Sequence, residues 1–179
     1  AVFVYGNNTK IINTVFENNT ASNNGAAMYI HGSGTIVENS TLTGNSAVNG
    51  TVYIEGSNTK ITNSNFFNNT AENGAGAYVE GKNTQITDSE ASYNTAVCNG
   101  DPEHSGLGAG FYIIGDNAVF SNITSKNNTA DSAGGSVYVI GNNTLVENNV
   151  NIAELNMSEK EAAVAYEKAM ISGTINEKS

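Results

Sequence analysis

The chain has 179 residues and a formal net charge of −10, with seven basic against seventeen acidic residues and no arginine. Nothing basic clusters, so no surface can displace counterions from a phosphate backbone or dock on anionic lipid, which excludes nucleic acid and the membrane surface as partners. No apolar run approaches the ~18 residues that span a bilayer, and one cysteine, Cys98, rules out an internal disulfide framework.

In chain order, Ala1-Val2-Phe3-Val4-Tyr5 reads as the last strand of a structural unit, not as a leader peptide. The sequence therefore reads as a piece of a longer repeat protein. From Gly6 onward a period is plain. Glycines stand at Gly6, Gly32, Gly56, Gly81, Gly115 and Gly141, at spacings of 26, 24, 25, 34 and 26 residues. Thirteen residues after each of the first five comes an asparagine: Asn19, Asn45, Asn69, Asn94 and Asn128. That half of the unit keeps its length, and all variation falls between this asparagine and the next glycine.

Each unit predicts three short strands. The first precedes the glycine (Met28-Tyr29-Ile30, Val52-Tyr53-Ile54, Ala77-Tyr78-Val79, Phe111-Tyr112-Ile113, Val137-Tyr138-Val139). The second carries Ile11, Val37, Ile61, Ile86, Phe120 and Val146; the third carries Phe16, Leu42 and Phe66, weakening to Ala91 and Ser125. Three strands per unit, each stacked on its counterpart, make an all-β right-handed parallel β-helix of about six coils of roughly 25 residues. Seven residues after each glycine, Asn13, Asn39, Asn63, Asp88, Asn122 and Asn148 are expected to turn corners and stack as an amide ladder. Thr9, Thr35, Thr59, Thr84 and Thr144 form a second column, broken at Ala118, that points inward. Ala21, Ala47, Ala71, Ala96 and Ala130 form a small apolar column where the wall closes.

The first strand yields the binding candidate. Apolar residues two and four before the glycine point inward by the period of two. The residue between them is always aromatic and must face out: Phe3, Tyr29, Tyr53, Tyr78, Tyr112, Tyr138. Alternation places Ala27, Thr51, Gly76, Gly110 and Ser136 on one outward side of this strip and His31, Glu55, Glu80, Ile114 and Ile140 on the other. Rings with a polar tip suit partner or sugar contact, and equally suit mutual stacking. His31, Glu55 and Glu80 predict a solvated charged face. Asn-x-Ser/Thr triplets starting at Asn7, Asn18, Asn49, Asn68, Asn127 and Asn142 are glycan acceptors if the chain is exported.

The fourth coil contains an insertion of about nine residues, Val97-Cys98-Asn99-Gly100-Asp101-Pro102-Glu103-His104-Ser105-Gly106, which reads as a solvated surface loop. It gathers the only Cys and the only Pro, yet Asp101, Glu103 and His104 have no second cluster to complete a metal site. Neither a metal nor a cofactor is expected. After Asn151 the repeat stops. Ser158-Glu159-Lys160-Glu161 is a capping box and Ala162, Ala163, Ala165, Tyr166, Ala169 and Met170 follow at helical spacing. The domain reading is thus repeats over 1–153 and a short α-helix, cap or linker, within 154–179, with the helix over 158–171.

Phe16-Glu17-Asn18-Asn19 and Phe66-Phe67-Asn68-Asn69 match an F-x-x-N motif, and Gly25-Ala26-Ala27-Met28, Gly74-Ala75-Gly76-Ala77 and Gly134-Gly135-Ser136-Val137 look like degenerate G-G-A-I tetrads. Over residues 1–150 the chain resembles the polymorphic outer-membrane adhesins of chlamydiae and, with its Asn- and Thr-rich filler, the adhesin-like surface proteins of methanogenic archaea. Both belong to the pectin-lyase-like β-helix class. The resemblance implies a non-catalytic, exported cell-surface segment that contacts glycans or proteins of another cell, or neighbouring domains of its own chain. The alternative within that class is a polysaccharide-acting lyase, hydrolase or epimerase, or its substrate-binding remnant. Against it, the arginine that pectate lyases use is missing, and Asp88, Asp101, Asp116 and Asp131 occupy four different repeat positions. An ice-binding array of outward threonines is disfavoured by the inward Thr column.

Overall fold

The computed structural model describes residues 1–147 and the strand Leu155–Asn156. It is a parallel β-solenoid of about six turns. Seven strands build the first sheet: Val2–Val4, Met28–Ile30, Val52–Ile54, Ala77–Val79, Phe111–Ile113, Val137–Val139 and Leu155–Asn156. Six build the second, from Lys10–Ile12 to Leu145–Glu147, and five the third, from Val15–Glu17 to Thr124–Lys126. Every strand pairs in parallel with its equivalent one coil away, and register never slips: Met28 stands on Val52, Val52 on Ala77, Ala77 on Phe111. A one-residue slip would turn each inward side chain outward, so the buried face itself enforces the register.

Three strands per coil is not the whole count. The small apolar column pairs as a short fourth sheet, Thr70–Ala71, Thr95–Ala96 and Thr129–Ala130, with Ser46 bridging to Thr20 and Thr70 in the coils before it. The stack also reaches Leu155–Asn156, which pairs with Val137 and Tyr138 beyond the point where the repeat pattern fades. The predicted helix over 158–171 lies outside the described residues.

The core is a set of side-chain columns. Phe66, Phe111, Phe120, Met28, Leu42 and the inward Ile residues from Ile30 on are fully buried; each such burial stabilises by about 1.5–3 kcal/mol. Sizes compensate between walls. Where the third-strand column holds Phe66, the first wall is small (Gly76, Ala77); where it shrinks to Ala91 and Ser125, Phe111 and Phe120 fill the space, with ring centroids 5.4 Å (Phe66–Phe111) and 5.2 Å (Phe111–Phe120) apart. Interiors pack at crystal-like density, so this exchange of volume lets a degenerate repeat close without voids.

The glycine that marks the period is dictated by crowding. A Cβ on Gly32 would sit 2.2 Å from the carbonyl oxygen of Gly6, and the same clash recurs at Gly56, Gly81, Gly115 and Gly141 against the preceding glycine. No side chain fits where one coil's backbone touches the next.

The continuous buried amide ladder runs through a different column from the one expected, in which Asn122 Nδ2 donates to Asp88 Oδ1 at 2.9 Å. Asn13, Asn39, Asn63, Asp88 and Asn122 are exposed and take φ of 48–54°, the left-handed corner conformation that Asx residues tolerate. The ladder is instead Asn19, Asn45, Asn69, Asn94 and Asn128. From Asn19 to Asn94, the backbone N and Nδ2 each donate to the next coil's Oδ1 at 2.9–3.1 Å. From Asn45 on, Nδ2 also donates to a carbonyl of an earlier coil, Phe16, Leu42, Phe66 or Ala91. The Thr column points inward as expected: Thr35, Thr59 and Thr84 are buried, and each hydroxyl donates to the carbonyl of its own coil's glycine.

Candidate functional site: the outer tyrosine column and its rims

Perfect register sets the aromatic residues one above another. Centroid separations run 4.9 Å for Phe3–Tyr29, then 5.0, 5.1, 4.8 and 5.4 Å through Tyr53, Tyr78 and Tyr112 to Tyr138. Most pairs are stacked, with Tyr112 and Tyr138 only 1° from coplanar. Stacking has a chemical consequence: ring faces are turned to one another along the axis, and the column offers solvent edges and hydroxyls. Within this column only the first ring is widely open; Phe3 is 63% exposed, whereas Tyr53 and Tyr112 are 7% and 8% exposed. Tyr29, Tyr78 and Tyr138 are half-buried.

The feet of the rings are walled by the turn that enters the strand. At Gly134 (φ 69°) an added Cβ would lie 2.8 Å from Tyr138 Cβ, and at Gly50 (φ 60°) 2.9 Å from Tyr78 Cβ. That backbone lies against the tyrosine flank, so glycine is required twice over, by its left-handed φ and by lack of space.

Of the two expected outward rims, one exists. His31, Glu55 and Glu80 are exposed beside the rings. Tyr29 Oη donates to Glu55 Oε2 at 2.9 Å, and His31 Nδ1 lies 2.7 Å from the same oxygen. These bonds hold the Glu55 carboxyl below the usual carboxylate range. Burial first, and then the bond to Glu80, pushes the Tyr53 hydroxyl far above the usual tyrosine range; burial also raises Tyr29, Tyr78 and Tyr112. Tyr29, Tyr53, Tyr78 and Tyr112 are thereby held as neutral hydroxyls, and Tyr29 donates to a glutamate of the next coil.

The other rim is absent. Ala27, Thr51, Gly76, Gly110 and Ser136 are buried. Ala27 belongs to the core, a Cβ on Gly76 would lie 3.4 Å from Phe66 Cβ, and Ser125 Oγ donates to Ser136 Oγ at 2.9 Å inside the coil. Alternation fails here because these residues lie in the bend ahead of the strand, where the period of two does not hold.

The 97–106 insertion is a compact, self-bonded loop with an exposed tip over residues 99–104. Asn99 Nδ2 donates to Glu72 Oε2 at 2.7 Å, Ser105 Oγ to Asn99 Oδ1 and the Asp101 carbonyl, and Cys98 N to Asp131 Oδ2. His104 Nδ1 lies 2.9 Å from Asp101 Oδ2. The Ser105 hydroxyl and the Gly100 amide hold the Cys98 thiol below its ordinary range. Among the described residues, no three His, Cys, Asp or Glu side chains converge as a metal-binding group. The other aspartates are paired structurally: Asp88 accepts from Asn122, and Asp116 accepts from Asn142 and pairs with Lys82 at 3.2 Å, which brings it down to about 2.

One surface feature went unread in the sequence, a shallow groove of about 270 Å³ on the third sheet lined by Thr41, Thr43, Asn65, Phe67, Glu90 and Ser92. The doublet Phe66-Phe67 was its signal, since alternation buries the first ring and must expose the second. The glycan-acceptor candidates Asn7, Asn18, Asn68, Asn127 and Asn142 are exposed, and Asn49 is half-buried.

Among the described residues no helix is long and apolar enough to cross a membrane. A family model described as "Right handed beta helix region" matches residues 1–151. Searches of curated proteins and of solved structures returned no match.

Proposed function

We propose, from the premise that the chain belongs to the right handed beta helix family, that it is a non-catalytic, surface-displayed segment of a larger exported protein, a rigid solenoid that offers its faces to carbohydrate or protein. The observation that carries this reading is the commitment of repeated side chains to the long axis. The interior amides and the outer rings both stack coil upon coil, which stiffens a rod, and Asp88, Asp101 and Asp116 are each held by a neighbour instead of facing a second carboxylate across a cleft. Resemblance to bacterial and archaeal adhesins, on F-x-x-N and the glycine tetrads, supports the same reading. For a partner, the first sheet offers tyrosine hydroxyls, ring edges and the glutamates beside them.

A glycan array with the 179-residue chain tests contact, lyase and hydrolase assays on each glycan bound test catalysis, and protease shaving of intact source cells tests display. Binding without turnover, together with shaving, is the expected result. Turnover of a bound polysaccharide would favour the enzyme reading, and complete resistance to shaving with cytosolic recovery would defeat the proposal.

A further inference from the structure

The triplet Asn-Asn-Thr occurs at Asn7, Asn18, Asn68, Asn127 and Asn142, identical each time in sequence. The fold makes these five unequal. Asn18, Asn68 and Asn127 occupy one corner, at φ of 52–53°, on the first, third and fifth coils. Each is exposed, and the threonine two residues on (Thr20, Thr70, Thr129) is exposed as well. Among the described residues, no hydrogen bond engages their Nδ2. At Asn142, Nδ2 donates to Asp116 Oδ1 at 2.9 Å and Thr144 is buried, bonding Gly141. At Asn7, Oδ1 accepts from Ser33 N and Thr9 bonds Gly6. The different triplet at Asn49 is worse placed still: its Nδ2 donates to Asn24 and Thr51 is fully buried. The intervening coils place Gly44 and Tyr93 at the same corner, so the three open sites recur every second coil, about 10 Å apart. Tyr93 (51% exposed) and Phe67 (44%), the exposed aromatics outside the first coil among the described residues, flank Asn68.

We propose that Asn18, Asn68 and Asn127 are a row of N-glycan attachment sites along one corner of the solenoid; this rests on the export reading above. The donor class is an oligosaccharide on a polyprenyl diphosphate. The asparagine Nδ2 bonds to the anomeric carbon, the bond from that carbon to the diphosphate oxygen breaks, the lipid diphosphate leaves, and the amide loses one N–H proton to the transferase's base. The middle residue of each triplet (Asn19, Asn69, Asn128) is a rung of the amide ladder. A transferase cannot extend the triplet without pulling that rung out, so attachment precedes closure of the coil. The folded corner then holds the sugar outside, spaced by the bare coils and covering Phe67 and Tyr93.

The test is to secrete the full chain, with a supplied export signal, from a eukaryotic cell line and to map glycopeptides in the folded, secreted fraction. Asn18, Asn68 and Asn127 should be occupied, with Asn49 and Asn142 depleted several-fold relative to the retained, misfolded fraction. Thr20→Ala, Thr70→Ala and Thr129→Ala should each remove one glycan mass and leave the thermal midpoint unchanged. Folded protein with those three asparagines bare, or with Asn142 occupied equally, overturns the proposal. So does secretion that is blocked in the native sequence and restored in the triple Thr→Ala variant. Because the export signal is supplied, these outcomes are independent of native display, which protease shaving decides.

Discussion

The amide ladder and the tyrosine column are the same device built in two places, one inside the corner between the third and fourth sheets and one on the outer face of the first sheet. Each repeats a single residue type once per coil and stacks it along the axis. Inside, Asn69 exchanges hydrogen bonds with Asn45, Asn94 and the Leu42 carbonyl, so every buried polar atom of the rung is matched. Outside, Tyr78 gains ring contacts to Tyr53 and Tyr112 at 5.1 and 4.8 Å while its edge meets solvent. A column of identical residues therefore has no fixed meaning. Its role follows from whether it sits inside or outside the coil, and its removal costs what that place would otherwise leave unpaired.

That contrast can be broken experimentally. Asn69→Ala should cost most, on the order of 4 kcal/mol, because two or three buried groups each lose a partner at about 1–3 kcal/mol; urea denaturation of the full chain measures it, and a loss under 1 kcal/mol would reduce the ladder to decoration. Tyr78→Ser should cost about 2–3 kcal/mol, from two ring contacts at about 0.5–1.5 kcal/mol each together with lost burial. If Tyr78→Ser unfolds the chain outright, the column is core in all but position. Asn63→Ala should cost about 1 kcal/mol, the price of an alanine at a left-handed corner, and Asn63→Gly should restore most of it.

The smallest effects come from pH, and they sharpen the comparison because the ladder has no titrating group. Tyr29, Tyr53, Tyr78 and Tyr112 have raised folded values. Their contribution is complete below the unfolded value near 10 and is lost as pH rises above it toward the folded values. Denaturation midpoints should fall between about pH 9 and pH 11, with less loss in Tyr53→Phe; an absorbance titration showing every tyrosine ionising near 10 in the folded protein contradicts this. Asp116 has the opposite sign. Its folded value is lowered to about 2, so its small contribution is present above the unfolded value near 4 and fades as pH falls toward 2. Lys82→Ala should weaken that acid dependence slightly, read as the midpoint difference between those two pH values.

Much of this was legible in the chain. The glycine spacing, the three apolar strand segments and the inward Thr column were readable because a solenoid repeats its constraints locally, once per coil. The identity of the amide ladder was not. Asparagine columns recur through Asn39, through Asn45 and through Asn58, and only burial, decided by how the corner bends, separates an exposed turn residue from a buried rung. The candidate strip was half legible: alternation put the tyrosines outside, but it also put Ala27 and Ser136 there, in a bend where alternation has no force. The third-sheet groove was not legible because it needs Thr41, Asn65 and Glu90 from three coils beside Phe67, and no single coil carries that pattern.

Sequence alone thus determined the coil: its period, its all-β parallel stacking, its fixed and variable corners, and the presence of an aromatic residue at one outward position. These follow from composition and spacing, which act within a coil or between adjacent ones. Tertiary structure decided what each column is for, namely which asparagines are buried, that the ring faces are spent on one another, and which of five identical Asn-Asn-Thr triplets leave both the asparagine amide and the threonine hydroxyl without a hydrogen bond among the described residues. Those outcomes depend on distances between coils some 25 residues apart, and no local pattern encodes a distance.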